Sequence, residues 1–221
     1  MDTQKKKEKS VRQPKKEKSM EKEKSVRQPK KEKSVEKEKS VRQPKRKKRH
    51  YGLVPIKKLL DLLEQVHPEM SLTENAKMYL INLLQSVLDK FMYTINSLLL
   101  RNKIKTVSDR YVKSAAKIIL TGELRENALK ESQGELVFPE ARIKKAMRKC
   151  LYNDFSRMSG LSSVWMTCIL EYLCAEILEL SGNIAKDKKK VRITSAFIAE
   201  SIQNDTELRQ LFCNSVLSSK A

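Results

Sequence analysis

From Ile56 onward the chain carries apolar stretches at helical spacing, ordered short, long, short and then short, long, short again. That doubled order constrains the fold more than any other feature of the sequence. Ile56, Leu59, Leu60 and Leu63 mark one face of a short amphipathic helix that stops near His67-Pro68, because proline lacks the donor that another helical turn needs. Ser71 and Glu74 have the spacing of a capping box. Ala76, Leu80, Leu84, Val87, Phe91, Ile95 and Leu98 then step by three or four. This spacing predicts one helix over residues 73–100, about 42 Å long at about 1.5 Å per residue. A basic stretch from Arg101 to Lys105 interrupts the pattern. Val107-Ser108-Asp109 opens a third helix carrying Val112, Ala115, Ala116 and Ile119, and a short segment beginning at Gly122-Glu123-Leu124 ends the first half.

The second half repeats the sequence of events. Arg142 to Lys149 reads as a short helix with Ile143, Ala146 and Met147 on one side. Val164 to about Lys186 reads as a long one whose buried face carries Ile169, Leu173, Ile177 and Leu180. A basic break from Lys186 to Arg192 follows. Ile193-Thr194 opens a third helix with Phe197, Ile198 and Ile202, and Asp205-Thr206-Glu207-Leu208 begins a last short turn. With only 5 Gly and 6 Pro in 221 residues, turn residues are too few for a sheet-rich fold, so the chain is expected to be all-α. One short-long-short unit leaves a broad apolar surface on its long helix. Two units cover each other, which is a physical reason to join them.

The first fifty residues are of a different kind. Glu8-Lys9-Ser10-Val11-Arg12-Gln13-Pro14 recurs from Glu23 and again from Glu38, at an offset of 15 residues. Residues 1–50 hold 22 basic and 8 acidic side chains, +14 of the chain's formal +20. With almost no large apolar side chains, such a segment cannot offset its conformational entropy by burial and is expected to be disordered. It reads as a flexible polycation that neutralises phosphates and releases counterions. Its last residues, Lys45, Arg46, Lys47, Lys48 and Arg49, are an uninterrupted basic cluster suited to DNA contact or nuclear import.

Several chemistries are disfavoured. Cys150, Cys168, Cys174 and Cys213 form no CxxC pair and lie far from His50 and His67, so no zinc or other metal site is expected. Cys168 and Cys174 fall within an apolar helical pattern and read as core residues. No apolar run is expected to approach a membrane span of about 18–20 residues, which predicts a soluble, intracellular protein. No phosphate-cradling glycine loop and no nucleophile–base pair appear, so neither an enzyme nor a cofactor is expected. Aromatic residues, at 5%, are too sparse for single-strand stacking platforms.

Particular segments resemble the core histones. Gln65-Val66-His67-Pro68 and Gly122-Glu123-Leu124 resemble histone 2B. Leu170-Glu171-Tyr172-Leu173, Ala175-Glu176-Ile177-Leu178-Glu179-Leu180, Gly182-Asn183, Phe138-Pro139 and Asn204-Asp205 with Glu207-Leu208 resemble histone 2A. The resemblance covers about residues 49–212 and places a 2B-like fold at 51–133 and a 2A-like fold at 134–221, after a tail at 1–50. That order is similar to the histone doublets of marseillevirus-like giant viruses. The fold it implies is two tandem histone folds in a handshake pseudo-dimer.

The resemblance also implies partners and roles: duplex DNA, a doublet or tetramer of the histone 3/histone 4 type, and chromatin factors, in a nucleus or in a viral factory and virion. Arg142, Arg157 and Arg192 match arginines that approach the minor groove, and Lys145, Arg148 and Lys149 share the first helix of the 2A-like half with Arg142. Lys103, Lys105 and Thr106 form the basic loop of the first half, where Ile104 replaces an expected arginine, and Lys190 belongs to the matching loop of the second. Lys45 to Arg49 match the stretch that passes between DNA gyres. Glu123, Glu131, Glu171, Glu176, Glu179, Asp205 and Glu207 match an acidic patch where factors and tails dock, with Thr206 replacing one acid. None of these residues reads base edges, so binding is expected to be independent of sequence. The short junction near Gln133-Gly134-Glu135 and the short stretch after Phe212 imply looser docking and easier unwrapping than about 147 base pairs of eukaryotic wrap. Two rivals are a histone-fold subunit of a transcription or replication complex, and a polybasic protein of RNA or membrane surfaces.

Overall fold

The computed structural model describes residues 52–130, 135–152 and 157–213. The repeat tail with Lys45 to Arg49, the junction with Glu131, and residues 153–156 and 214–221 lie outside the described residues. The first half comprises α1 (Ile56–Val66), β1 (Ser71–Leu72), α2 (Glu74–Asn102), β2 (Thr106–Val107), α3 (Asp109–Ile119) and α4 (Gly122–Lys130). The second comprises α5 (Glu140–Cys150), β3 (Arg157–Met158), α6 (Gly160–Asp187), β4 (Arg192–Ile193), α7 (Ser195–Asn204) and α8 (Thr206–Cys213).

Each helix forms where the apolar spacing places it, with local differences. The expected capping box does not form. Ser71 lies in β1, and the Thr73 hydroxyl instead accepts a hydrogen bond from the Ala76 amide at 3.2 Å, which places the cap of α2 two residues after Ser71. The reason is tertiary: Ser71 is paired with Arg192 across β1 and β4, and so is unavailable to the helix. Thr73→Ala is therefore expected to cost about 1 kcal/mol of stability and Ser71→Ala only a few tenths, read from denaturant midpoints. Leu60 is also misplaced by periodicity alone. It is exposed, and Leu62 is buried in its stead. Leu99 rather than Leu98 completes the buried face of α2, and α6 begins at Gly160, four residues before Val164, because the Ser159 hydroxyl caps it.

Both long helices end in the same way. The Ile104 amide reaches back to the Leu99 carbonyl and the Lys190 amide to the Ala185 carbonyl, at 3.1 and 2.8 Å. These bonds turn the chain through a left-handed residue, Lys103 at φ 53° and Lys189 at φ 55°. Glycine normally takes that position, since a side chain there costs about 1 kcal/mol. The sequence keeps lysine at both.

The two halves interlock reciprocally. α3 of the first lies on α6 of the second while α7 lies on α2, and likewise α1 on α6 and α5 on α2. Leu80, Leu84, Phe91 and Ile95 of α2 join Ile169, Leu173 and Ile177 of α6 in one core. α6 corrects one expectation, because it is long and apolar enough by composition to cross a membrane. Here it is the central core helix, with 61% of that apolar stretch buried, since its neighbours cover it on several sides. Cys174 is wholly inside this core, and burial pushes its thiol far above the ordinary range, which suits an inert packing residue.

His67 ends α1 and ties it to the other half. Its Nε2 lies 3.1 Å from the Glu179 carbonyl oxygen, so the ring donates from Nε2. Gly182 makes this possible, because a Cβ there would fall on the imidazole.

Candidate nucleic-acid interface

Reciprocal packing brings the loop at each end of one long helix against a loop of the other half. At one corner β1 runs parallel to β4, with Ser71 opposite Arg192 and Leu72 opposite Ile193. At the other β2 runs parallel to β3, with Thr106 opposite Arg157 and Val107 opposite Met158. The inner residue of each basic strand is buried or half-buried, whereas Arg192 and Arg157 are exposed. Each corner therefore consists of an outward arginine, a hydroxyl residue opposite it, and lysines from the break at the end of a long helix. Lys103, Lys105, Thr106 and Arg157 meet at one corner, and Lys190 and Arg192 meet Ser71 at the other.

Lys103, Lys105, Arg157, Lys190 and Arg192 have no carboxylate within ion-pair distance among the described residues, so their charges remain available to an anion. Neighbouring lysines are engaged. Lys186 pairs with Glu69 at 2.7 Å, and Lys188 pairs with Glu200. On α5, Arg142, Lys145, Arg148 and Lys149 are all exposed, while Ile143 and Met147 face the core. Arg142, Lys145 and Lys149 line a groove with Gly52, Gln85 and Cys150. Ser71 and Lys189 were not legible as corner residues, because only strand pairing and backbone conformation place them there.

The acidic residues divide. Glu123, Glu176, Asp205 and Glu207 surround one groove with Asn127 and Tyr172. Glu179 lies one helical turn beyond Glu176, and its charge reaches it. Glu171 lines the adjoining groove, where its carboxylate accepts the amides of Val137 and Phe138 at 2.9–3.2 Å. Glu207 is similarly committed. Its two oxygens accept the amides of Glu123 and Leu124, at 3.0 and 2.7 Å, at the N-terminus of α4. An anion there meets unpaired amides and the positive end of the helix. Gly122, at φ +52°, fits twice over, since a Cβ would collide with the Glu207 carboxylate. Asp205 caps α8 by accepting the Leu208 amide at 2.7 Å. These structural duties were invisible in the sequence because they join residues far apart along the chain.

Burial, and then the charges of Glu179 and Asp205, raise the Glu176 carboxyl above its ordinary value of 4.5, against a hydrogen bond from Tyr172. A carboxyl raised in the folded state holds its proton longer there, so stability falls as pH rises from the unfolded value through the folded one. Glu176→Gln is thus expected to raise the thermal midpoint near neutral pH and to lose that gain at about pH 4. Equal gains at both pH values would assign the effect to packing.

Curated relatives decide the family. A histone 2A of Agaricus bisporus is 39% identical over 97 residues, covering 44% of this chain and 68% of that protein. A probable histone 2A of Oryza sativa is 36% identical over 103 residues, covering 47% of this chain and 75% of that protein. The chain belongs to the histone 2A family. This histone spans only 24% of a macro-type histone 2A of Capsaspora owczarzaki, at 41% identity, and 63% of a histone 2A of Eremothecium gossypii, at 42%. No family model matches it. Among solved structures, the histone from Methanopyrus kandleri aligns at a TM-score of 0.53 with 15% identity, over 67% of this chain and 93% of its own. That likeness concerns the fold alone, and it makes the interlocked short-long-short units of this chain tandem histone folds in a handshake.

Proposed function

We propose that this histone is a doublet, 2B-like at 51–133 and 2A-like at 134–221, that stands in for a histone 2A–histone 2B dimer and packages duplex DNA without sequence specificity. The pair of basic corners carries this reading. Cross-pairing of β1 with β4 and β2 with β3 holds Arg192 and Arg157 outward on fixed backbones, with Lys190, Lys103 and Lys105 beside them. Phosphates are the anions that such paired, sequence-blind cationic loops suit. Lysine at both left-handed helix ends fits the same purpose, since glycine there would be easier on the backbone and would lose a charge.

The solved Methanopyrus histone supports the doublet, because its single chain aligns over more of this chain than either half could contribute. The family relatives, in contrast, match a length close to that of one half. α5, with Arg142, Lys145, Arg148 and Lys149, extends the DNA path, and the basic cluster Lys45 to Arg49 adds charge for further phosphates. Tyr93, Leu100 and Ile118 on α2 and α3 are exposed and apolar, and are the face offered to a partner of the histone 3/histone 4 type. Glu123, Glu176, Glu179 and Asp205 remain for factors and tails, with Glu171 and Glu207 as the latches that shape the groove. The chain acts in a nucleus or, if its source is a virus, in the viral factory and virion.

Micrococcal-nuclease protection tests this. The full chain is mixed with DNA and a histone 3–histone 4-type partner. A discrete protected length, lost when the partner is omitted, is the expected result. A smear at every stoichiometry overturns the packaging reading.

A further inference from the structure

His67 is the only histidine among the described residues, and it is buried. It lies four residues before β1, the strand that pairs with β4. Because Nε2 donates to the Glu179 carbonyl, Nδ1 carries the free lone pair of the ring. That nitrogen lies 3.9 Å from Oε1 of Glu69, too far for a hydrogen bond. The same oxygen holds the Lys186 ammonium at 2.7 Å. One carboxylate oxygen thus stands between a cation and a base that can become one. Few other charges face the ring. α6 presents the Glu179 carbonyl and Gly182, while the Glu179 carboxylate acts on Glu176. Glu64, three residues earlier on α1, is exposed.

We propose that acid turns Glu69 from Lys186 to His67, and so adds one more phosphate-binding lysine to the corner of β1 and β4. The inference rests on the reading that the corners meet a duplex. A proton from solvent goes to Nδ1, and the imidazolium then faces Glu69. Histidine side chains gain this charge between about pH 8 and pH 5. The hydrogen bond from Lys186 holds the Glu69 carboxyl below its ordinary value of 4.5, so the carboxylate is still charged in that range. Two cations then share one anion, and the trio passes from neutral to a single positive charge. His67 is walled off from water, whereas Lys186 is exposed in the last turn of α6, just before the break with Lys190 and Arg192. The surplus charge therefore reaches the surface through Lys186, whose ammonium can turn to a phosphate without stranding Glu69. The tie between α1 and α6 survives the change, because Nε2 carries its proton in both states. What acid alters is the charge of the corner, not its fold.

The test is the salt slope of duplex binding by the full chain at about pH 8 and about pH 6. The N-terminus is acetylated and His50 replaced by glutamine, which silences the α-amino group and the chain's other histidine. From the higher to the lower pH the slope is expected to steepen by up to about 0.9, one further phosphate neutralised. Glu69→Gln should show the steeper slope at both pH values, because Lys186 then has no carboxylate to leave. Lys186→Gln should keep the shallower slope at both, and so should His67→Gln. Glu69 and Lys186 are exposed, so those two variants decide the matter even where the buried substitution unfolds the chain. Lys190→Gln separates this inference from the reading beneath it, and is expected to make the slope shallower by about 0.9 at either pH. If it leaves the slope unchanged, the corners meet no duplex, and the proposed function falls with the inference. If it shifts the slope while the parent shows no pH dependence, or while Glu69→Gln or Lys186→Gln still steepens with acid, the inference alone is overturned.

Discussion

Replacing Lys103, Lys105, Arg157, Lys190 and Arg192 together by glutamine should make the salt dependence of DNA binding shallower by about 4.5 in log affinity per log salt, at about 0.9 for each phosphate no longer neutralised. These five side chains are exposed and stand outside the ion pairs of the described residues, so their removal leaves packing intact. Binding does not vanish, because the tail and α5 keep their own charges. What changes is the part of the slope that belongs to the corners. Lys186 and Lys188 provide a matched contrast within the same basic break, as Glu69 and Glu200 already neutralise them. Glutamine at those two positions should shift the slope far less than it does at Lys190 and Arg192. Fluorescence-anisotropy titrations of a labelled duplex at several salt concentrations give all the slopes. If glutamine at Lys186 and Lys188 loses as much slope as glutamine at Lys190 and Arg192, net charge governs binding and the corner geometry does not.

The helical order and the resemblance were legible because both depend on local pattern. Ala76, Leu80, Leu84, Phe91 and Ile95 are buried where period alone puts them, as are Ile169, Leu173 and Ile177. The errors occur where one half meets the other. Ser71 looks like a cap in sequence, yet its partner Arg192 is 121 residues away and recruits it into a strand. Glu171 and Glu207 look like free surface acids, yet each holds two backbone amides of a segment far along the chain. α6 has the composition of a membrane span because a helix covered from several sides needs apolar residues around most of its circumference. Single-helix periodicity assumes one wet face, and so fails at the most enclosed helix. The cations of the corners were identified by their basic breaks, but which break meets which loop depends on the parallel strand pairs, and no local signal carries that register.

Because the core is shared, damage on one side should be felt on the other. Phe91→Ala is expected to remove about 3–5 kcal/mol, the cost of the lost burial together with the cavity it leaves. Phe91 lies fully buried on α2, within the cluster that includes Ile169, Leu173 and Ile177 of α6. At about 2–4 °C per kcal/mol for a body of this size, the thermal midpoint should fall by roughly 6–20 °C. The chain's single tryptophan makes the decisive reading possible. Trp165 belongs to α6, in the other half, and lies under the Lys113 ammonium of α3 at 3.9 Å from the ring centre. Its fluorescence therefore reports the junction between halves, while circular dichroism reports all the helices. Both probes should shift by the same amount in Phe91→Ala and remain a single transition. Tyr93→Ala, at an exposed position two residues on, should stay within about 0.5 kcal/mol of the parent. Separate transitions, with Trp165 keeping its parental midpoint, would mean that each half holds its own core. The covalent join would then be a tether between two folded units. A common transition makes it part of one folding unit, in which neither half has a buried long helix until the other covers it.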